Sequence, residues 1–160
     1  GRMSEFPHLT DDGDVHMVDV SGKAVTDRTA IAECVVNLGA GTADALFGGT
    51  LPKGDALASI RLAGIMGAKR TPDLIPLCHP ILLSGVTVDI ERSTEGARIT
   101  ARVTTSGQTG VEMEAMTAVS VAALALYDMV KGLERAVDIG PIRLIHKSGG
   151  RSGDWNRSGI

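Results

Sequence analysis

The sequence predicts an α+β domain whose elements follow the order β-α-β-β-α-β. Three observations carry that expectation. Residues 85–91 and 98–104 alternate apolar with polar side chains, and turn-forming residues 93–96 separate them, as in a hairpin. Residues 109–131 carry no formal charge between Ala115 and Tyr127, so this stretch reads as a buried helix. Residues 24–38 are rich in β-branched and small side chains, and a helical pattern follows at 54–70. This order is the split βαβ, or ferredoxin-like, arrangement: an antiparallel sheet with two main helices on one face. Such a sheet leaves its other face open, and so apolar a helix needs more cover than one small sheet provides. The domain is therefore expected to be oligomeric.

Each element has a local reason. Residues 1–16 are polar, with Asp11, Asp12 and Asp14 around Gly13, and read as a flexible arm; Gly1 and Arg2 before Met3 read as a cloning scar. The strand at 24–38 ends at the glycines of 39–42, and a short helix fits 43–47. In the helix at 54–70, Leu57, Ile60 and Ile65 share a face; Gly64 and Gly67 weaken it but permit close helix contact, and Thr71 and Pro72 are expected to end it. Two prolines make 73–81 an irregular loop. After the hairpin, Thr109 and Glu112 match a capping box at the start of the apolar helix. The last strand, 137–146, is interrupted at Gly140 and Pro141, which suits an edge or a bulge. One domain over 17–154 and a flexible tail over 155–160 complete the expected organisation.

Composition narrows the function. The net charge of -3 leaves no nucleic-acid footprint. Aromatic residues are only 2% of the chain, so Ala, Val, Leu, Ile and Met must fill a closely packed core. Cys34 and Cys78 form no disulfide framework, and a reduced, cytoplasmic setting is the expectation. No apolar run reads as a membrane span.

Candidate chemistry gathers at few places. Asp128 and Lys131 lie three residues apart, on neighbouring faces of one helix; an exposed ion pair is the bland explanation, and a proton-transfer pair the functional one. Glu112 and Glu114 sit in the first turn of the same helix, as a cap and a solvated acid, or as ligands. His79 stands in a proline-bracketed loop beside Cys78, with no metal-ligand spacing around it. Lys53 precedes a glycine at a helix start, and Lys69 and Lys147 add cations, Lys147 in a glycine-rich loop that is not a P-loop. Together the cations point to an anionic, polyphosphate-bearing small molecule.

The motifs HMVDVS at 16–21, KGD at 53–55, AKRTPDLIPLCHP at 68–80, GVEMEAMTA at 110–118, YDMVK at 127–131 and IGPIRLIHKSGGRSGD at 139–154 closely resemble the cyclic pyranopterin monophosphate synthase family of molybdenum cofactor biosynthesis. Pro72 is a small departure. The resemblance implies the ferredoxin-like fold and a homohexamer built as a trimer of dimers. It also implies conversion of (8S)-3′,8-cyclo-7,8-dihydroguanosine 5′-triphosphate to cyclic pyranopterin monophosphate with release of pyrophosphate, a lyase reaction. Substrate contacts fall on Leu77, Cys78, His79, Met113 and Glu114, the catalytic acid on Asp128, and the two important lysines on Lys53 and Lys131. No metal or organic cofactor is implied beyond magnesium accompanying the triphosphate. The residues suit this chemistry: Lys53 and Lys131 as acid and base, Asp128 tuning Lys131, His79, Lys69 and Lys147 on phosphate, and Glu112 and Glu114 on the guanine-derived amino groups.

Two rival classes remain distinguishable. A non-catalytic ferredoxin-like module that binds a small molecule would not need Lys53, Asp128 and Lys131 together. An RNA-binding domain of this topology needs aromatics on its open sheet face, and residues 98–104 have none. Spacing adds one further expectation. Fourteen residues separate Glu114 from Asp128, about 21 Å of helix, so one site should take its Glu114 end from one subunit and its Asp128 end from another.

Overall fold

The computed structural model describes residues 15–159; of the expected N-terminal arm, residues 1–14 lie outside the described residues. Strand β1 (Thr26–Asn37) leads through helices α1 (Ala40–Gly48), α2 (Ala56–Lys69) and α3 (Thr71–Leu74) to the hairpin β2 (Leu83–Ser93) and β3 (Gly96–Gly107). Helix α4 (Glu112–Val130), strand β4 (Asp138–Ser148) and a short strand β5 (Trp155–Asn156) follow. The sheet order is β2-β3-β1-β4-β5, and every pairing is antiparallel. Its first four strands and the long helices α2 and α4 reproduce the expected ferredoxin-like arrangement.

One face of the sheet makes the core. Ala30, Ala32, Cys34 and Val36 of β1 alternate inward with Ala97, Ile99, Ala101 and Val103 of β3, and all are fully buried. Helix α4 covers them with Ala115, Ala118, Val119, Ala122, Ala123, Leu126 and Val130. Alanine in both layers lets them approach closely, which is how a core almost free of aromatics is filled. By length and composition α4 could cross a membrane, but it rests on β1, β3, β4 and α2 as the core helix.

Glycine sets the α2–α4 contact. A Cβ on Gly64 would lie 3.0 Å from Val88 and 3.2 Å from Ala122, and one on Gly67 would lie 2.9 Å from the Cβ of Val121. In the hairpin, Gly96 has φ +138°, and a Cβ there would meet the Leu38 amide at 2.5 Å, so the turn end rests directly on the chain leaving β1. On the other sheet face Glu33 is 2% exposed. Its carboxylate is held by Arg143 at 2.7 Å and Arg98 at 3.7 Å, so a buried charge is paired from both neighbouring strands.

Three local expectations need correction. The capping box does not form: Val111 is the N-cap of α4 and no side chain caps it. Helix α2 does end at Lys69, before Thr71 and Pro72, but the separate short helix α3 takes up the start of the loop expected over 73–81, because proline sits in its first turn, where its missing N–H costs nothing. Of the tail expected over 155–160, Ile160 lies outside the described residues and the start is not simply a tail, since Trp155–Asn156 pair with β4, Arg157 Nε donates to the Leu144 carbonyl at 2.7 Å and its guanidinium lies over the Trp155 ring. Helix α4 leaves Leu124 61% exposed, in line with its needing more cover than one small sheet provides. The β4 irregularity falls where expected, with a register shift against β1 beside Gly140-Pro141.

The α2–α4 contact yields a stability prediction. Gly67→Ala should lower the urea midpoint, because overpacking costs about 1–3 kcal/mol while the helix-propensity gain returns only ~1. Gly41→Ala in α1, where a Cβ meets nothing within 4 Å, should hold or raise the midpoint. A Gly67→Ala midpoint at or above wild type contradicts the close approach.

Candidate functional site

Functional side chains collect at the two ends of α4. At its N-terminal end a recess of about 260 Å³ is lined by Leu77, Cys78 and His79 on one side and Glu112, Met113 and Glu114 on the other, with Lys23 and Thr109 also in its wall. The first three come from the loop after α3, which is tied down by the Cys78 N–H donating to the Ile75 carbonyl at 3.1 Å. Lys23 is brought in by a turn in which its N–H donates to the Val20 carbonyl. The Gln108 amide clamps that turn by donating to the carbonyls of Ser21 and Lys23 at 3.2 and 3.0 Å.

Glu114 is the unusual group here. It is 3% exposed. Burial pushes its carboxyl up to about 7, the Glu112 charge adds to the rise, and a hydrogen bond from its own backbone opposes it. The thiol of Cys78 is raised by burial first and then by Glu114. This end of the helix thus holds an acid poised to exchange its proton near neutrality.

The C-terminal end is the reverse. Asp128 Oδ1 meets Lys131 Nζ at 2.9 Å and Oδ2 meets Lys53 Nζ at 3.0 Å. Hydrogen bonds from Lys131 and then Lys53, together with their charges, hold the Asp128 carboxyl below its usual range. Lys53 arrives from a different segment. Leu51 anchors its turn at 5% exposure, the Gly54 N–H closes that turn on the Leu51 carbonyl, and Asp55 caps α2 by accepting from the Ala58 N–H. The two lysines and the aspartate border a recess of about 260 Å³ that also includes Pro52, Leu133 and Arg135. All three side chains are about half exposed, which leaves them open to a reactant.

A third recess, about 360 Å³, adjoins the first through Lys23 and is lined by Thr26, Arg28, Gly150, Arg151 and Ser152. Lys147 does not line it. Its ammonium donates to the Gly149 carbonyl and the Ser152 hydroxyl, bracing the loop that presents Arg151. Lys69 stands exposed in the last turn of α2 and lines none of the three recesses. Of the cations that do converge, Lys23, Arg28 and Arg151, only Arg151 belongs to a run that the sequence marks as cationic, and Lys23 and Arg28 were missed. A glycine beside Lys23 and paired glycines before Arg151 were the available signal. Among the described residues no cluster of His, Cys, Asp and Glu could hold a metal ion.

The model of the MoaC family matches residues 17–150. A cyclic pyranopterin monophosphate synthase of Corynebacterium efficiens is 56% identical over 154 residues, covering 96% of this chain and 99% of its own. One from Jannaschia sp. is 56% identical over 153 residues, covering 94% of each chain. One from Streptomyces coelicolor is 55% identical over 151 residues, covering 94% of this chain and 89% of its own.

Glu114 supplies a pH prediction. Its folded carboxyl titrates above its unfolded value, so the stability it allows is complete below the ordinary Glu range and is lost as pH rises through about 7. Glu114→Gln should therefore unfold at higher urea than wild type at pH 8, with the difference fading by pH 5. An equal difference at both pH values contradicts a buried, titrating carboxyl.

Proposed function

The chain belongs to the MoaC family, and we propose that it acts as a cyclic pyranopterin monophosphate synthase. Its substrate is (8S)-3′,8-cyclo-7,8-dihydroguanosine 5′-triphosphate, and its products are cyclic pyranopterin monophosphate and pyrophosphate. This is a lyase reaction within molybdenum cofactor biosynthesis, carried out by a cytoplasmic homohexamer arranged as a trimer of dimers.

The observation that carries this reading is the assembly of Lys53, Asp128 and Lys131, which joins segments 75 residues apart in the chain. Rebuilding a purine-derived ring needs repeated proton transfers. Two ammonium groups on one carboxylate provide donors, and either lysine becomes a base once it has given up its proton. Asp128 holds both at fixed positions. The α4 N-terminal recess suits the guanine-derived ring: Glu112 accepts from its amino groups, and Glu114, neutral or charged, either donates or accepts. The adjoining recess suits the triphosphate. Lys23, Arg28 and Arg151 line it, and Lys147 braces its loop. Internal attack on the α-phosphorus closes the cyclic phosphate and expels pyrophosphate, and cations stabilise the charge that develops. The fit needs no protein-held metal; magnesium accompanying the triphosphate is the expected ion.

The two groups of residues lie at opposite ends of α4, about 21 Å apart by helix rise. A reacting ring cannot reach both, so the ring-binding end of one subunit meets the lysine end of another. The exposed apolar side chains Leu62, Met66 and Leu124 are consistent with further cover in an oligomer.

Turnover of the cyclised GTP intermediate tests the activity. Lys53→Ala and Lys131→Ala should each lower pterin formation at least ~100-fold while the protein stays folded. If both variants keep wild-type turnover, the non-catalytic binding module is the better reading.

A further inference from the structure

Glu134 lines neither end of α4, yet it joins the two segments that supply the lysine cluster. Its N–H donates to the Val130 carbonyl at 3.1 Å, which seats it on the turn that ends α4. Its Oε1 accepts from the Gly39 N–H at 3.0 Å, across 95 residues of sequence. Gly39 is the N-cap of α1, and that helix has no side-chain cap of its own nor any acid in its first turn. Glu134 thus caps α1 from a distance. The Thr42 hydroxyl and then the Gly39 amide hold its carboxyl below the usual glutamate range. A Cβ on Gly39 would lie 3.3 Å from Oε1, so glycine gives the carboxylate room. The Tyr127 hydroxyl, donating to the Arg135 carbonyl at 3.0 Å, closes the same loop back on α4.

What Glu134 joins matters. The turn it sits on follows Asp128 and Lys131. The helix it caps runs into the 49–55 loop that carries Lys53. The Lys53–Asp128 contact itself is an exposed ion pair, and such a pair contributes little on its own. Two like-charged ammonium groups on one carboxylate also repel each other. The spacing of the cluster must therefore come from how the backbone segments are docked.

We propose that Glu134 is a positioning residue: it docks the start of α1 on the end of α4 and so brings Lys53 to Asp128 and Lys131. This rests on the catalytic role proposed above for the cluster. The effect acts through geometry, and a small misplacement of a reacting group can cost a large factor in rate.

The test compares Glu134→Ala with Glu134→Gln, which keeps the oxygen that accepts from Gly39. The full-length protein is assayed for turnover, and the Asp128 carboxyl is titrated by carbon-13 NMR with Asp128→Asn for assignment. Glu134→Ala should lower kcat about tenfold or more with little change in KM, and Asp128 should titrate closer to an ordinary aspartate because Lys53 has withdrawn. Glu134→Gln should restore both. Wild-type kcat in Glu134→Ala, an unmoved Asp128 titration, or no rescue by Glu134→Gln each overturns the proposal. If wild type itself turned over no substrate, the proposed activity would fail, while the Asp128 titration would still decide whether Glu134 docks the two segments.

Discussion

The packing of α4 is the constraint from which the rest follows. Alanines on its inner side press it onto β1, β3 and β4, and Gly64 and Gly67 let α2 lie against it at contact distance. A helix held along its whole length by small side chains cannot bend to bring its ends together. The separation of Glu114 from Asp128 is thus a rigid property of the domain, and the chemistry at each end must be completed by something other than the opposite end of the same helix.

The two ends also differ in electrostatic character, and the difference comes from solvent. Glu114 is buried and titrates near 7; Asp128 is open to water and is held ionised by two lysines. Carboxyls pushed in opposite directions on one helix give the site both a group that can carry a proton and a group that stays charged. Both environments follow from the fold. The loop after α3 closes over Glu114, while the turn after α4 leaves Asp128 exposed beside the segment that carries Lys53.

Much of this was legible in the sequence. Strands with clean alternation and the long apolar helix were readable because their periodicity reports directly on one buried face. Leu77, Cys78, His79, Glu112, Met113 and Glu114 do line one recess, and Lys53, Asp128 and Lys131 do meet. What escaped depends on tertiary contact. Thr109 and Glu112 have the capping-box spacing, yet the helix starts one residue after Val111 and leaves Thr109 in the wall of the recess. Lys23, Arg28 and Arg151 are unremarkable singly, and only the turn before β1, the start of β1 and the loop after β4 bring them together. Lys69 resembled a phosphate ligand but faces elsewhere, because the end of α2 turns it to solvent. Glu134 caps a helix 95 residues away, a relation that no local pattern encodes.

The central claim is that a working site is shared between subunits, with α4 as the spacer. Mixed oligomers of Glu114→Ala and Lys131→Ala subunits test it most directly, because each variant damages only one end. Assayed with the cyclised GTP intermediate, verified mixed assemblies should recover activity that neither variant shows alone, approaching about a quarter of wild type for random pairing in a symmetric dimer. No recovery in such assemblies would contradict a shared site and place both ends of α4 in the service of separate chemistry.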